Sequence, residues 1–158
     1  MITRLKIENF KSLKNVDLKL GPLNLFVGAN ASGKSNLLDS LRVIQGIGLG
    51  LSVSEIFDGK PKSSTLTEWA GIRGGASHAA YRRAGSGTLR ALSTAITIEA
   101  APSNLECPFT FTSEMRPHLG LIRAEELHIG RKRIYLTRKS NNSLSSPVIR
   151  AVLSTDRR

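Results

Sequence analysis

The chain has 158 residues, 40% of them hydrophobic and 22% charged, with a mean hydropathy of −0.12. That is about one domain with enough apolar residues for a core, and no apolar run approaches the ~20 residues that span a bilayer. A single cysteine, Cys107, excludes an internal disulfide and a cysteine-rich zinc site, while a net charge of +11 suits contact with nucleic acid or another polyanion.

The N-terminus alternates in polarity instead of presenting a signal-peptide core. A cytoplasmic location without a membrane partner is therefore expected. His78, His118 and His128 lack metal-ligand spacing. Leu5 and Ile7 alternate with Arg4, Lys6 and Glu8, predicting a strand over residues 2–9 with one buried face. Phe10 to Asn15 forms a short polar connection. Val16, Leu18 and Leu20 then alternate with Asp17 and Lys19 as a second strand, and Gly21-Pro22 signals a turn. Leu23-Asn24-Leu25-Phe26-Val27 is nearly continuous in apolar character, the pattern of a buried parallel strand.

The next nine residues, Gly28-Ala29-Asn30-Ala31-Ser32-Gly33-Lys34-Ser35-Asn36, satisfy G-x-x-x-x-G-K-[ST] at every fixed position. Leu37, Leu38, Leu41 and Ile44 follow at helical spacing. Strand, glycine-bounded loop and helix together make a phosphate-binding loop, where an isolated match would be a chance Gly/Ser turn. Gly28 and Gly33 let the backbone curl so that its N–H groups face an anion. The helix start adds free donors and the positive end of its dipole. Lys34 is placed to neutralise the β- and γ-phosphates, and the Ser35 hydroxyl to ligand Mg²⁺.

The order Leu-x-Ile-x-Asn-Phe-Lys-Ser-Leu, Val-x-Leu-x-Leu, then Leu-x-Leu-Phe-Val-Gly-Ala-Asn-Ala-Ser-Gly-Lys-Ser-Asn-Leu-Leu-Asp-Ser-Leu resembles the N-terminal half of RecF/SMC-type ATPase heads. These are ABC-like ATPases, grouped with the AAA family, that include the heads of OLD-type nucleases. The likeness is close over residues 1–46 and looser to about 138, and Asn30 and Asn36 favour this group. It implies an α/β P-loop NTPase fold, an ABC/RecF-like head lobe whose antiparallel β-subdomain packs on the P-loop strand and helix. It also implies ATP with Mg²⁺ as the nucleotide, since no guanine-reading Asn-Lys-x-Asp occurs. In such heads the Lys-Ser pair after the first strand lies close to the nucleotide. Lys11 and Ser12 hold that place here, where two polar residues in a solvated turn are the alternative.

Residues 46–92 are rich in Gly, Ser and Ala. Gly46 to Gly50 ends the P-loop helix, and its spacing does not fit a dinucleotide loop. Val53, Ile56 and Phe57 predict a short helix with Ser52 or Ser54 near its cap. Gly59 to Thr65 reads as a loop and Thr67 to Ala70 as a helical turn. Arg73-Gly74-Gly75 resembles an element that follows the P-loop helix in these ATPases, although a tight turn with a solvated arginine is the favoured reading. Arg82 and Arg83 beside Tyr81 are candidates for nucleic-acid contact.

From residue 93 strands return. Thr94, Ile96 and Ile98 alternate, as do Phe109 and Phe111, and residues 121–129 and 133–137 read as a hairpin about Gly130. Its basic tip, Arg131, Lys132 and Arg133, is a second nucleic-acid candidate. Glu125 and Glu126 fall in an expected edge strand, which favours a structural or solvated role over acid–base work. Ser140 to Pro147 reads as a linker and Val148 to Leu153 as the start of another element.

The expected organisation is one incomplete ATP-binding domain over 1–158. Residues 1–46 begin the β-subdomain and carry the P-loop and its helix, 47–92 are a helical and loop insertion, 93–138 are antiparallel strands, and 139–158 are a linker and a truncated end. No apolar strand ends in Asp-Glu and no Ser-Gly-rich signature precedes a helix, so the water-orienting and γ-phosphate-sensing groups of such a head are missing. The leading expectation is thus the ATP-binding portion of a RecF/SMC/OLD-like ATPase, with no catalytic residue in this chain. Its expected partners are ATP, DNA, and a second head in a homodimer or a second subunit. The alternatives are a non-hydrolytic, nucleotide-dependent DNA- or protein-binding module and a truncated product without independent function.

Overall fold

The structure, a computed structural model, describes residues 1–61, 67–81, 93–103, 105 and 107–138. Strands β1 (Ile2–Phe10) and β2 (Leu13–Lys19) form a hairpin, with Ile7 opposite Val16 and Leu5 opposite Leu18. Four more strands extend the sheet from β1: β5 (Thr94–Ala100), β6 (Phe109–Arg116), β7 (Leu121–Ile129) and β8 (Lys132–Arg138), in the order β2-β1-β5-β6-β7-β8. Every pairing is antiparallel. The polarity alternation foresaw these strands because one sheet face is covered and the other is wet. Leu5, Ile7, Ile96, Ile98 and Met115 form the covered face.

Two helices supply the cover. α1 (Lys34–Gly48) buries Leu37, Ser40 and Val43, with Leu41, Ile44 and Ile47 packed at the margin. Leu38, expected on the same apolar face, is instead 58% exposed. α2 (Val53–Asp58) buries Val53, Ile56 and Phe57. A reciprocal capping box starts it: Ser52 Oγ accepts from Glu55 N, and the Glu55 carboxylate accepts from Ser52 N.

Three expectations need correction. Residues 23–27 do not form a buried parallel strand, and no strand pairs with them among the described residues. Leu23, Leu25 and Val27 are 90%, 86% and 84% exposed. The Asn24 amide clasps Gly21 in both directions, at 2.9 and 2.8 Å, and turns the chain off the end of β2. Without neighbours along its edges an apolar run has no ladder in which to be buried. Thr67–Trp69 is a strand, β4, paired with β3 (Lys60–Pro61), not a helical turn. The buried Trp69 indole donates to Ile56 O at 2.9 Å and overrides the local helical signal. Finally, β7 is not an edge strand, because β8 lies outside it. Glu125 is buried beneath that outer strand, receiving hydrogen bonds from Ser113 Oγ at 3.1 Å and Tyr135 OH at 2.8 Å. Burial raises the Tyr135 phenol pKa, and the neighbouring Glu125 carboxylate adds to that rise against an opposing Thr137 hydrogen bond. Residues 82–92 and 139–158, including Arg82, Arg83 and the expected linker, lie outside the described residues.

Candidate nucleotide-phosphate site

The loop at Gly28–Asn36 runs directly into α1. Gly33 stands before the first helical residue at φ 97°, a left-handed conformation that side chains disfavour. A Cβ there would also come within 3.2 Å of Leu13 and 3.3 Å of Ser12 Oγ. At Gly28 a Cβ would lie 2.8 Å from Ser32 Oγ. The positive φ makes glycine the fitting residue at Gly33, and at Gly28 a side chain would have to displace the Ser32 hydroxyl. The carbonyl of Gly33 accepts from Asn36 N and Leu37 N, at 2.9 and 3.0 Å, which closes the first helical turn.

The Lys34 ammonium folds back over the loop. It donates to Gly28 O, to Ala29 O at 2.7 Å and to Ser32 Oγ at 3.3 Å. The cation thus sits where an anion would need it, held by neutral acceptors. Ser35 is exposed on the first turn of α1. A cavity of about 290 Å³ is lined by Asn30 to Asn36 together with Arg73.

Ser12 is brought to the loop through its hydroxyl, which accepts from Asn36 Nδ2 at 2.7 Å. Lys11 and Ser12 line an adjoining cavity of about 500 Å³ that shares Asn36 and Arg73 with the first. The solvated-turn alternative fails for Lys11. Its side chain is only 9% exposed, and its ammonium donates to Asp39 Oδ2 at 2.5 Å and Arg73 O at 2.7 Å. Lys11 also carries φ 51°, strained for a residue with a Cβ.

Arg73 is more than a solvated arginine. Its guanidinium meets Asp39 through Nη2 at 2.8 Å and Nε at 3.3 Å while the side chain stays 63% exposed. Asp39 is the residue that sequence reasoning passed over. Its side chain is 6% exposed and accepts from both cations. Burial pushes this carboxyl up, but the hydrogen bonds from Arg73 and Lys11 outweigh it and hold the carboxyl below its ordinary value. An acidic residue within an apolar helical face was the one available sign. Its partners lie 28 and 34 positions away, beyond any local pattern.

The remaining candidates lie apart. Arg131, Lys132 and Arg133 are exposed at the β7–β8 hairpin tip, with Arg133 3.8 Å from Glu126. Among the described residues no group of three or more His, Cys, Asp or Glu is arranged to hold a metal, and no helix is long and apolar enough to cross a membrane.

Residues 1–47 match the AAA ATPase domain family. The chain is similar to an OLD nuclease of Thermus scotoductus, 41% identical over 46 residues, which is 29% of this chain and 9% of that protein. It is similar also to the DNA replication and repair protein RecF of an Enterobacter species and of Cronobacter sakazakii. Each is 46% identical over 41 residues, 25% of this chain and 12% of the relative. The match spans about a tenth of the length of these relatives. The family match takes in β1, β2, the loop at Gly28–Asn36 and nearly all of α1. Over residues 1–47 the chain is similar to RecF/OLD-like AAA ATPases.

Proposed function

We propose that this chain binds Mg-ATP through Gly28–Asn36, as the nucleotide-binding portion of a RecF/SMC/OLD-like ATPase with an ABC-type head lobe. The observation that carries this reading is the cavity walled by residues 30–36 and Arg73 at the start of a 15-residue helix. Backbone donors, the helix dipole, Lys34 and Arg73 all favour a polyanion there. Phosphate oxygens replace Gly28 O and Ala29 O as acceptors for the Lys34 ammonium, exchanging neutral partners for charged ones. The exposed Ser35 hydroxyl fits a Mg²⁺ ligand. The bound ion neutralises charge on the phosphate oxygens. The adjoining cavity beside Ser12 and Asn36 takes the rest of the nucleotide.

No carboxylate lines the phosphate cavity among the described residues, and Asp39 is committed to Lys11 and Arg73. This chain alone therefore binds without appreciable hydrolysis, because the reaction depends on a positioned water and charge stabilisation. In the complete ATPase, nucleotide binding controls pairing of two heads. DNA is the partner class suggested by the RecF relatives and by the +11 charge. The exposed tip at Arg131 to Arg133 is its candidate contact. The alternative, a non-hydrolytic nucleotide-dependent binding module, shares the same site.

Calorimetric titration of Mg-ATP into wild type and Lys34→Ala tests the site. Loss of one charge-assisted phosphate contact weakens affinity at least about tenfold. Equal affinities for the two proteins overturn the reading.

A further inference from the structure

The loop residues account for one side of the phosphate cavity. Its other wall is Arg73, which comes from a segment 37 positions after Asn36 and shares no secondary structure with the loop. An arginine whose side chain is 63% exposed has many rotamers to choose from and loses entropy when fixed in one. Something must hold it. The holder is Asp39, whose carboxylate takes Nε and Nη2 of the guanidinium side-on. A guanidinium has five N–H donors, so a side-on pair leaves others for a second anion.

Asp39 is suited to this task by its place on α1. It lies one helical turn after Ser35, so the element that presents the phosphate-binding residues also presents the carboxylate. The carboxylate is itself fixed from a second direction by Lys11, whose ammonium also binds the backbone carbonyl of Arg73. Lys11 N donates to Ala79 O at 2.8 Å, and Tyr81 N donates to Asn9 O at 2.9 Å. The end of β1, the start of α1 and the 73–81 segment are thereby tied at one buried carboxylate. Left-handed Lys11 fits this picture: its backbone strain is tolerated where several ties fix the position.

We propose that Asp39 is a positioning residue of the nucleotide site, holding the Arg73 guanidinium in the wall of the phosphate cavity and linking it through Lys11 to the end of β1. This rests on the reading of Gly28–Asn36 as the nucleotide site. Asp39 touches no phosphate. It acts through Arg73, and removing it releases that side chain to solvent.

The test separates the two claims. Lys34→Ala examines the site, and a double-mutant cycle between Asp39→Asn and Arg73→Ala examines the positioning. The cycle is built in the wild-type background, where Arg73→Ala leaves Asp39 paired with Lys11 and Asp39→Asn leaves the Lys11 ammonium its bond to the Arg73 carbonyl. Each single change in that background is expected to weaken Mg-ATP binding about tenfold, and the two together no more than Arg73→Ala alone. A nucleotide-free readout accompanies the cycle. The ¹⁵N-edited spectrum of the wild-type chain should show a slowly exchanging Arg73 Nε–H that Asp39→Asn abolishes. If Lys34→Ala lowers affinity while Asp39→Asn leaves it unchanged, or if the two losses multiply as independent effects, the positioning role is overturned and the site stands. An unchanged Arg73 Nε–H in Asp39→Asn overturns the positioning role likewise. If Lys34→Ala has no effect, the site reading fails and this inference fails with it.

Discussion

The glycine-bounded loop at Gly28–Asn36 has two apolar flanks, and they meet opposite fates. On its C-terminal side, α1 buries Leu37 and Val43 against β1 and α2. On its N-terminal side, residues 23–27 present Leu23, Leu25 and Val27 almost wholly to solvent. The residues are of similar hydrophobicity, so composition does not separate them. Hydrogen-bond closure does. A helix satisfies its backbone internally and needs cover along one stripe only. An extended segment needs neighbours on both edges before its side chains can be covered. Here the nearest side chains, from Leu13, Val16 and Leu18 of β2, make only a shallow apolar groove beside Leu25, Phe26 and Val27. An apolar run therefore states a demand, and the surrounding strands decide whether it is met.

The same substitution on each flank breaks or sharpens this contrast most strongly. Leu37 is 7% exposed, and Leu37→Ala is expected to cost about 2–5 kcal/mol through lost burial and the cavity left behind. Leu25 is 86% exposed, and Leu25→Ala should stay within about 0.5 kcal/mol. Urea unfolding of both variants checks the pair. Similar losses would mean that residues 23–27 are covered in solution, and the contrast between the flanks would disappear.

A smaller effect probes what anchors the helical flank. Gly46 lies inside α1 beneath Ile56 of α2, and a Cβ there would stand 2.7 Å from Ile56 Cγ1. Ile56 is 1% exposed and has nowhere to withdraw. Gly46→Ala should therefore destabilise by about 1–3 kcal/mol through overpacking, reduced by up to about 1 kcal/mol of helix propensity. Thermal unfolding checks the sign. A stabilised variant would show that α2 does not clamp α1, leaving the sheet as the sole anchor.

The contrast also explains which parts of this molecule were legible in the sequence. Polarity alternation located β1, β2 and β5 to β8 because one sheet face is covered and the other is wet. Val53, Ile56 and Phe57 with a serine near the cap announced α2, and the Ser52–Glu55 capping box that starts it is equally local. The start of α1 after the glycine-bounded loop was legible for the same reason, since Gly33, Lys34 and the apolar positions that follow are consecutive. What escaped was decided over distance. Trp69 makes a strand of a helical-looking tetrapeptide by bonding Ile56 O, 13 residues back. Asp39 gathers Lys11 and Arg73 from either side of α1. The exposure of Leu25 depends on strands that do not flank it. Local chemistry can be read from neighbouring letters, whereas the occupant of a face or an edge cannot.

The smallest effect comes from the far end of the helical flank. Gly48 is the last residue of α1, exposed, with nothing within 4 Å of a Cβ built there and no left-handed φ. An alanine at this position meets no neighbour and reduces the freedom of the unfolded chain, so Gly48→Ala should stabilise by about 0.5 kcal/mol. Two glycines two residues apart in one helix thus carry opposite signs, set by whether α2 lies over them. Paired denaturation midpoints for Gly46→Ala and Gly48→Ala read that difference directly. If both substitutions stabilised, α1 would be limited by its own helix propensity and not by the cover that α2 provides.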